Sequence, residues 1–313
     1  MIERAPLAAA QVIRRARSPA YGFCGEMRQL DQAVVLLGKS ALRETVVSDA
    51  VQRAFQVVTD DAFKVEDFGA HCVAVGHLAQ ILSMPLQAAE RTPEQQKDLD
   101  ACGLTDVALA GLERSGLAFK LRLEIYEDPF VVGIMHDIGK VALVHSYPGL
   151  YKAVVEEMAR QGWAIPMHIA EETIAGGADH TVVGEILADT WQLGETIGHI
   201  VGEHRRPTEG DSLVELVALA DVMANAIFPL PADAAFPLAR MAGTLTAAPA
   251  SNDSAKDKSG DATAATEPAQ ASTEELAPFL PEGMLEQLEI TVEDLVELTQ
   301  VLARAVRQRV AST

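Results

Sequence analysis

The chain has 313 residues and a formal net charge of -20, with 49% hydrophobic but only 5% aromatic residues. That length supplies a sizeable core in one or two domains, and a charge of that sign repels phosphate backbones, which disfavours DNA and other sequence-independent nucleic-acid binding. Abundant Ala, Leu and Val with few strand-like alternations predict an all-α protein.

Met1 to Arg17 carries apolar residues at helical spacing and breaks at Ser18-Pro19-Ala20-Tyr21-Gly22. Leu30 to Leu37 reads as a short helix stopped by Gly38, and Ser40 can cap a further helix through Phe55. Neither helix has the basic face that a DNA-reading helix-turn-helix needs. A helix from Asp67 to Leu82 has its apolar stripe at Phe68, Cys72, Val75, Ala79 and Leu82, which turns His71 inward and His77 outward. The more polar stretch 84–124 is expected to add one or two helices that either cap a pocket or lengthen the bundle.

Asp128 can cap a helix that starts at Pro129 and runs to Val144. This helix is apolar around its whole circumference and should be internal, yet it carries His136, Asp137 and Lys140. Buried charges need compensation from a metal, from a ligand phosphate, or from one another, and Lys140 stands three residues after Asp137 on the same face. Helices are then predicted over Pro148–Gly162, His180–Trp191, Glu195–His204 and Ser212–Phe228, the last with Asp221 among apolar neighbours. From Gly243 to Glu275 the composition shifts to Ala, Ser, Thr, Asp and Pro and predicts a disordered linker. Beyond it, Thr291 and Asp294 form a capping pattern ahead of an amphipathic helix that can dock on the core or pair with another chain. The expected organisation is a partial N-terminal helical unit over 1–60, a core over 61–235, the linker, and a C-terminal helical segment over 276–313.

His71, the His136-Asp137 pair, His180, His204 and Asp221 fall on separate predicted helices, apart from that pair. Imidazoles and carboxylates converging inside a helical bundle can hold one or two divalent metals and activate water for attack on phosphorus. Their order resembles the HD superfamily of metal-dependent phosphohydrolases. Arg17-Ser18-Pro19-Ala20-Tyr21-Gly22, the run Gln32 to Gly38, Gly133 to Lys140, Asp179-His180 with Gly184, and Trp191-Gln192-Leu193 resemble its HDOD (HD-related output domain) branch over most of residues 1–230.

The resemblance implies an HD-like helical bundle with a smaller N-terminal part, in a cytoplasmic bacterial regulator that acts through protein contacts, usually without catalysis. It implies metal ligands at His71, His136, Asp137, His180, His204 and Asp221 for one divalent ion such as Fe, Mn or Mg, with Lys140 as the candidate catalytic or phosphate contact. Signalling proteins, a nucleotide second messenger or a second copy of the chain are the expected partners, and no membrane. Against the family, the chain begins near a second or third helix and the 84–124 insertion is long. In the related HD-GYP phosphodiesterases a second histidine follows the one at position 204, and here Arg205 stands there, while Arg205 to Gly210 replaces the Gly-Tyr-Pro signature. Arginine stays protonated and cannot ligate a metal, which leaves a gap in a two-metal set. The same framework therefore allows a second expectation, a cyclic-dinucleotide phosphodiesterase-like hydrolase.

Cys24, Cys72 and Cys102 are odd in number and far apart, the pattern of reduced thiols. With no signal peptide and no bilayer-length apolar run, an intracellular location is expected.

Overall fold

A computed structural model describes residues 12–16, 30–55, 64–84, 90–101, 104, 128–147, 149–208, 210–228, 237–243 and 273–312. They are all helix, turn and loop, as the composition predicts. In chain order the helices are α1 (Leu30–Phe55), α2 (Val65–Leu82), α3 (Pro93–Ala101), α4 (Pro129–Met135), α5 (Ile138–Ser146), α6 (Leu150–Arg160), α7 (Met167–Ala175), α8 (His180–Thr190), α9 (Glu195–Glu203), α10 (Ser212–Ile227), the short α11 (Pro237–Met241), α12 (Thr273–Leu276) and α13 (Met284–Gln287), and α14 (Val292–Ser312). Residues 12–16 are also helical and pack on α1 through Val12 and Ala16. None of the described helices is long and apolar enough to cross a membrane.

α10 is the most enclosed element: Val214, Leu216, Val217, Ala218, Leu219, Ala220, Val222, Met223 and Ala224 are all buried. A helix that is apolar all round has no solvent face and must be covered on every side. α2, α9 and α14 supply much of that cover. Leu295, Leu298 and Leu302 of α14 enter the same core, so the C-terminal helix docks on its own chain. Its start carries the predicted reciprocal cap: Asp294 N–H donates to Thr291 Oγ1 at 3.1 Å and Thr291 N–H donates to Asp294 Oδ2 at 2.9 Å.

Two glycine crossings set the helix spacing. A Cβ on Gly133 of α4 would stand 2.8 Å from the Cα of Gly76 on α2. A Cβ on Gly139 of α5 would strike the carbonyl oxygen of His180 and crowd Gly184 of α8. Only hydrogen side chains let these backbones touch, and the contact draws α2 and α8 against the α4–α5 junction.

Several expectations change. The helix expected over 129–144 is two helices, because His136 and Asp137 form a turn, with Asp137 at φ -103° and ψ 17°. Asp128 caps the first as predicted, accepting from Phe130 N at 3.2 Å with Pro129 at the first position. The helices expected on either side of Gly38 form one element with a non-helical kink at that glycine, φ 76° and ψ 175°. His77 is fully buried, not outward. A single-stripe reading fails for α2 because residues 71–82 are buried on all sides, with α4, α10 and α14 packed around them. The Arg17–Gly22 motif, Cys24, Cys102, residues 105–127 of the expected insertion and residues 244–272 of the expected linker lie outside the described residues; Cys72 is a free, buried thiol. The linker expected to end at 275 runs too far, since Thr273–Leu276 is helical.

Candidate metal centre

The six residues singled out from the sequence meet at one point. α2 brings His71, the α4–α5 turn brings His136 and Asp137, α8 opens with His180, α9 ends at His204, and α10 contributes Asp221. The turn matters here, since in a continuous helix consecutive side chains diverge by about 100°. Broken at that point, the backbone aims both His136 and Asp137 inward. All six side chains are 0–1% exposed.

Asp137 is the hub. Its Oδ2 lies 3.3 Å from His136 Nε2 and 3.7 Å from His71 Nε2, and its Oδ1 lies 3.1 Å from His180 Nε2 and 3.5 Å from His204 Nε2. Asp221 Oδ1 closes the first side, 3.1 Å from His71 Nε2 and 3.5 Å from His136 Nε2. Two ligand groups result, His71, His136, Asp137 and Asp221 on one side and Asp137, His180 and His204 on the other, each with its ligand atoms within 4.8 Å of one another.

The remote face of three imidazoles is tied to an acceptor. His136 Nδ1 is 2.8 Å from Gly133 O, His204 Nδ1 is 3.0 Å from Val201 O, and His180 Nδ1 is 2.5 Å from Glu171 Oε2. When Nδ1–H donates outward, the Nε2 lone pair faces the centre, the arrangement that metal-binding histidines use. His71 Nε2, His136 Nε2 and Asp137 Oδ1 are buried without a hydrogen-bond partner. Buried polar atoms are rarely left so, and a divalent cation in the first group would satisfy both imidazole nitrogens. The donor set, nitrogen and carboxylate oxygen, suits Fe, Mn or Zn.

Two basic side chains share the centre. Lys140 Nζ donates to Asp137 Oδ2 at 2.5 Å, the pairing expected from the three-residue spacing. Arg205 NH1 lies 2.8 Å from Asp221 Oδ2 with its side chain 11% exposed. The residue that breaks the histidine pattern thus places a guanidinium on the last carboxylate of the set.

The protonation balance follows. Burial opposes charge on both aspartates, but the charge on His136 and Lys140 outweighs it at Asp137, and Arg205 does so at Asp221, holding both carboxyls well below the usual range. Burial lowers His71, and it lowers His204 to about 4. Burial also works against His136, yet the neighbouring Asp137 and Asp221 charges carry it up to about 9. His180 is likewise raised, by Glu171 against burial.

Sequence reasoning missed the supports. Glu171 on α7 is fully buried, accepting from His180 N at 3.0 Å and from Tyr151 Oη at 2.6 Å. It lies in the stretch between Pro166 and His180, where nothing distinguishes it from its neighbour Glu172. Asn225 donates to Asp221 Oδ1 at 2.9 Å, and its position one turn after Asp221 was a readable signal.

The sequence profile of the HDOD domain matches residues 1–104 and 83–207, a range that holds five of the six clustered residues and ends before Asp221. An uncharacterised protein of Treponema pallidum (strain Nichols) is 28% identical over 99 residues, 30% of this chain and 19% of that protein, so the chain aligns with less than a fifth of that relative's length. Two solved structures share the fold. An HDOD domain protein of unknown function from Geobacter sulfurreducens is 23% identical with a TM-score of 0.50, over 71% of this chain and 63% of that one. A protein of Shewanella amazonensis SB2B, provisionally named a phosphohydrolase, is 18% identical with a TM-score of 0.52, over 99% of this chain and 84% of that one.

Proposed function

Since the chain belongs to the HDOD domain family, we propose that it is a regulatory module that works by binding other proteins and has no hydrolytic turnover. One observation carries this reading: both carboxylates of the centre are already engaged by a basic side chain, Asp137 by Lys140 at 2.5 Å and Asp221 by Arg205 at 2.8 Å. In a phosphohydrolase the lysine and arginine would be free to meet the substrate's phosphate, and the carboxylates would face metal. Here the four charges offset one another inside a centre whose ligand side chains are 0–1% exposed, so the cluster acts as the polar core that locks six helices, α2, α4, α5, α8, α9 and α10, in register.

His71, His136, Asp137 and Asp221 would hold one divalent ion, with His180 and His204 beside them. Bound there, such an ion supplies Lewis acidity that can polarise a phosphoryl oxygen or activate water. Lys140 and Glu171 then hold Asp137 and His180 in place. A second reading, a metal-dependent phosphohydrolase of the cyclic-dinucleotide phosphodiesterase kind, is favoured by the orphaned Nε2 atoms of His71 and His136 and by Asp137 Oδ1.

Metal analysis of the purified protein, with turnover of cyclic dinucleotides and simple phosphoesters in added Mn²⁺ or Fe²⁺, separates the two. The regulatory reading expects at most one ion per chain and no turnover above the Asp137→Ala background. Turnover that Asp137→Ala abolishes would overturn it.

A further inference from the structure

We propose that the outer face of α8, with the cleft between α8 and α9, docks a lysine- or arginine-rich amphipathic helix of another protein. α8 is two-faced. His180, Thr181, Gly184 and Ala188 are buried against the centre, while Val182 and Ile186, one turn apart, are 45% and 63% exposed, and Trp191 just past the last turn is 54% exposed. Among the described residues seven large hydrophobic side chains are exposed, and three of them fall within these ten positions. Val182 and Ile186 share the outer face and Trp191 stands at the helix end, and apolar side chains grouped in this way mark contact surfaces.

Charge names the partner. A cleft of about 970 Å³ opens between α8 and α9, next to this face, and its lining includes Ala188 and Gly198 together with Glu185, Asp189, Glu195 and Asp211. Asp211 is held by His199 at 2.7 Å. Glu185, Asp189 and Glu195 have no ion-pair partner among the described residues, unlike Glu172 nearby, which pairs with Arg206 at 2.7 Å. They do not gather within ligand distance as the central residues do, so a divalent ion does not account for them.

A second copy would bring the same acidic lining on a chain of net charge -20, and a nucleic acid or anionic lipid surface is repelled alike. A helix with apolar residues at i, i+3 and i+4 and flanking cations satisfies both halves of the surface. The small lining residues let its backbone come close, and α8's 11 residues span about three turns of it. This deepens the reading of the chain as a protein-contact module, and its test involves neither metal nor turnover, so the two can fail separately.

The experiment titrates the full chain with a synthetic 16-residue Lys/Leu amphipathic peptide, followed by calorimetry and by tryptophan emission. Binding is expected to shift the emission of Trp191 to the blue, a signal lost in Trp191→Phe although Trp163 remains. Glu185→Lys should weaken binding at least tenfold and Ile186→Ala severalfold, with melting temperatures unchanged because both side chains are exposed. Glu156→Lys, the same charge change on the exposed face of α6, should leave affinity within twofold. The proposal is overturned if Glu156→Lys weakens binding as much as Glu185→Lys, or if a Glu/Leu peptide of the same pattern binds as tightly.

Discussion

α2 carries two buried histidines less than two turns apart, and each belongs to a different polar cluster. His71 faces the metal-type centre. His77 faces a second cluster in which Arg15 NH2 meets Glu44 Oε2 at 2.6 Å, Gln80 Nε2 donates to Glu44 Oε1 at 2.8 Å, and Arg309 NH1 donates to Gln80 Oε1 at 2.8 Å. In this second cluster both Glu44 oxygens and the Gln80 oxygen have a donor, Arg15 Nε is left without an acceptor, and the group staples α1, α2 and α14. The first cluster keeps three imidazole nitrogens, both of His71 and Nε2 of His136, and a carboxylate oxygen of Asp137 without partners. Burial and charge alone therefore do not distinguish a scaffold from a binding centre; whether the inward acceptor atoms have a donor does.

The difference can be broken most forcefully at its hubs. Asp137→Ala leaves Lys140 buried without its carboxylate and should lower stability by on the order of 3–5 kcal/mol in urea denaturation, with loss of any bound metal. Glu44→Ala strands Arg15 in the same way and should cost about 3 kcal/mol. Metal content should then be unchanged, and a loss of metal in Glu44→Ala would erase the distinction between the clusters.

pH separates them by sign. His136 is raised to about 9, so its stabilisation is fully present below the ordinary value near 6.5 and is lost as pH rises through 9. His77 is pushed well below the ordinary value, chiefly by burial, so its contribution is present above about 6.5 and declines as pH falls. Metal-free protein should therefore lose a few kcal/mol on the alkaline side, and His136→Gln should flatten that limb while leaving the acid limb intact. An alkaline limb that survives the substitution assigns it elsewhere.

The smallest expected effect is Glu171→Gln, which keeps the shape but weakens the orientation of His180. Metal affinity should drop about tenfold to a hundredfold with only a modest change in melting temperature. An equal drop in Glu44→Gln would point to general loosening.

Much of the centre was legible because its residues contradict their surroundings. His136, Asp137 and Asp221 are polar groups in apolar helices, and that mismatch reads from the sequence. The break at His136–Asp137 was not legible, since the run from Pro129 to Val144 is uniformly helix-compatible and the turn is imposed by the helices that Gly133 and Gly139 draw in. His77 was misread because a helical wheel assumes one buried side, and α2 has no other kind. Arg205 read as a missing ligand, whereas its partner Asp221 lies on another helix and no local pattern could pair them. Glu171 looked like any surface acid until Tyr151 and His180 were folded onto it.

The docking of α14 bears on how the protein is made. Arg309 reaches Gln80 across 229 positions, and Leu295, Leu298 and Leu302 complete a core begun by α2. During synthesis α2 and α10 leave the ribosome long before the helix that covers them, so the nascent chain waits with an apolar groove and a half-built polar cluster open to water. Contacts of such sequence separation also slow the search for the native state. Closure of this core thus waits until α14 has emerged.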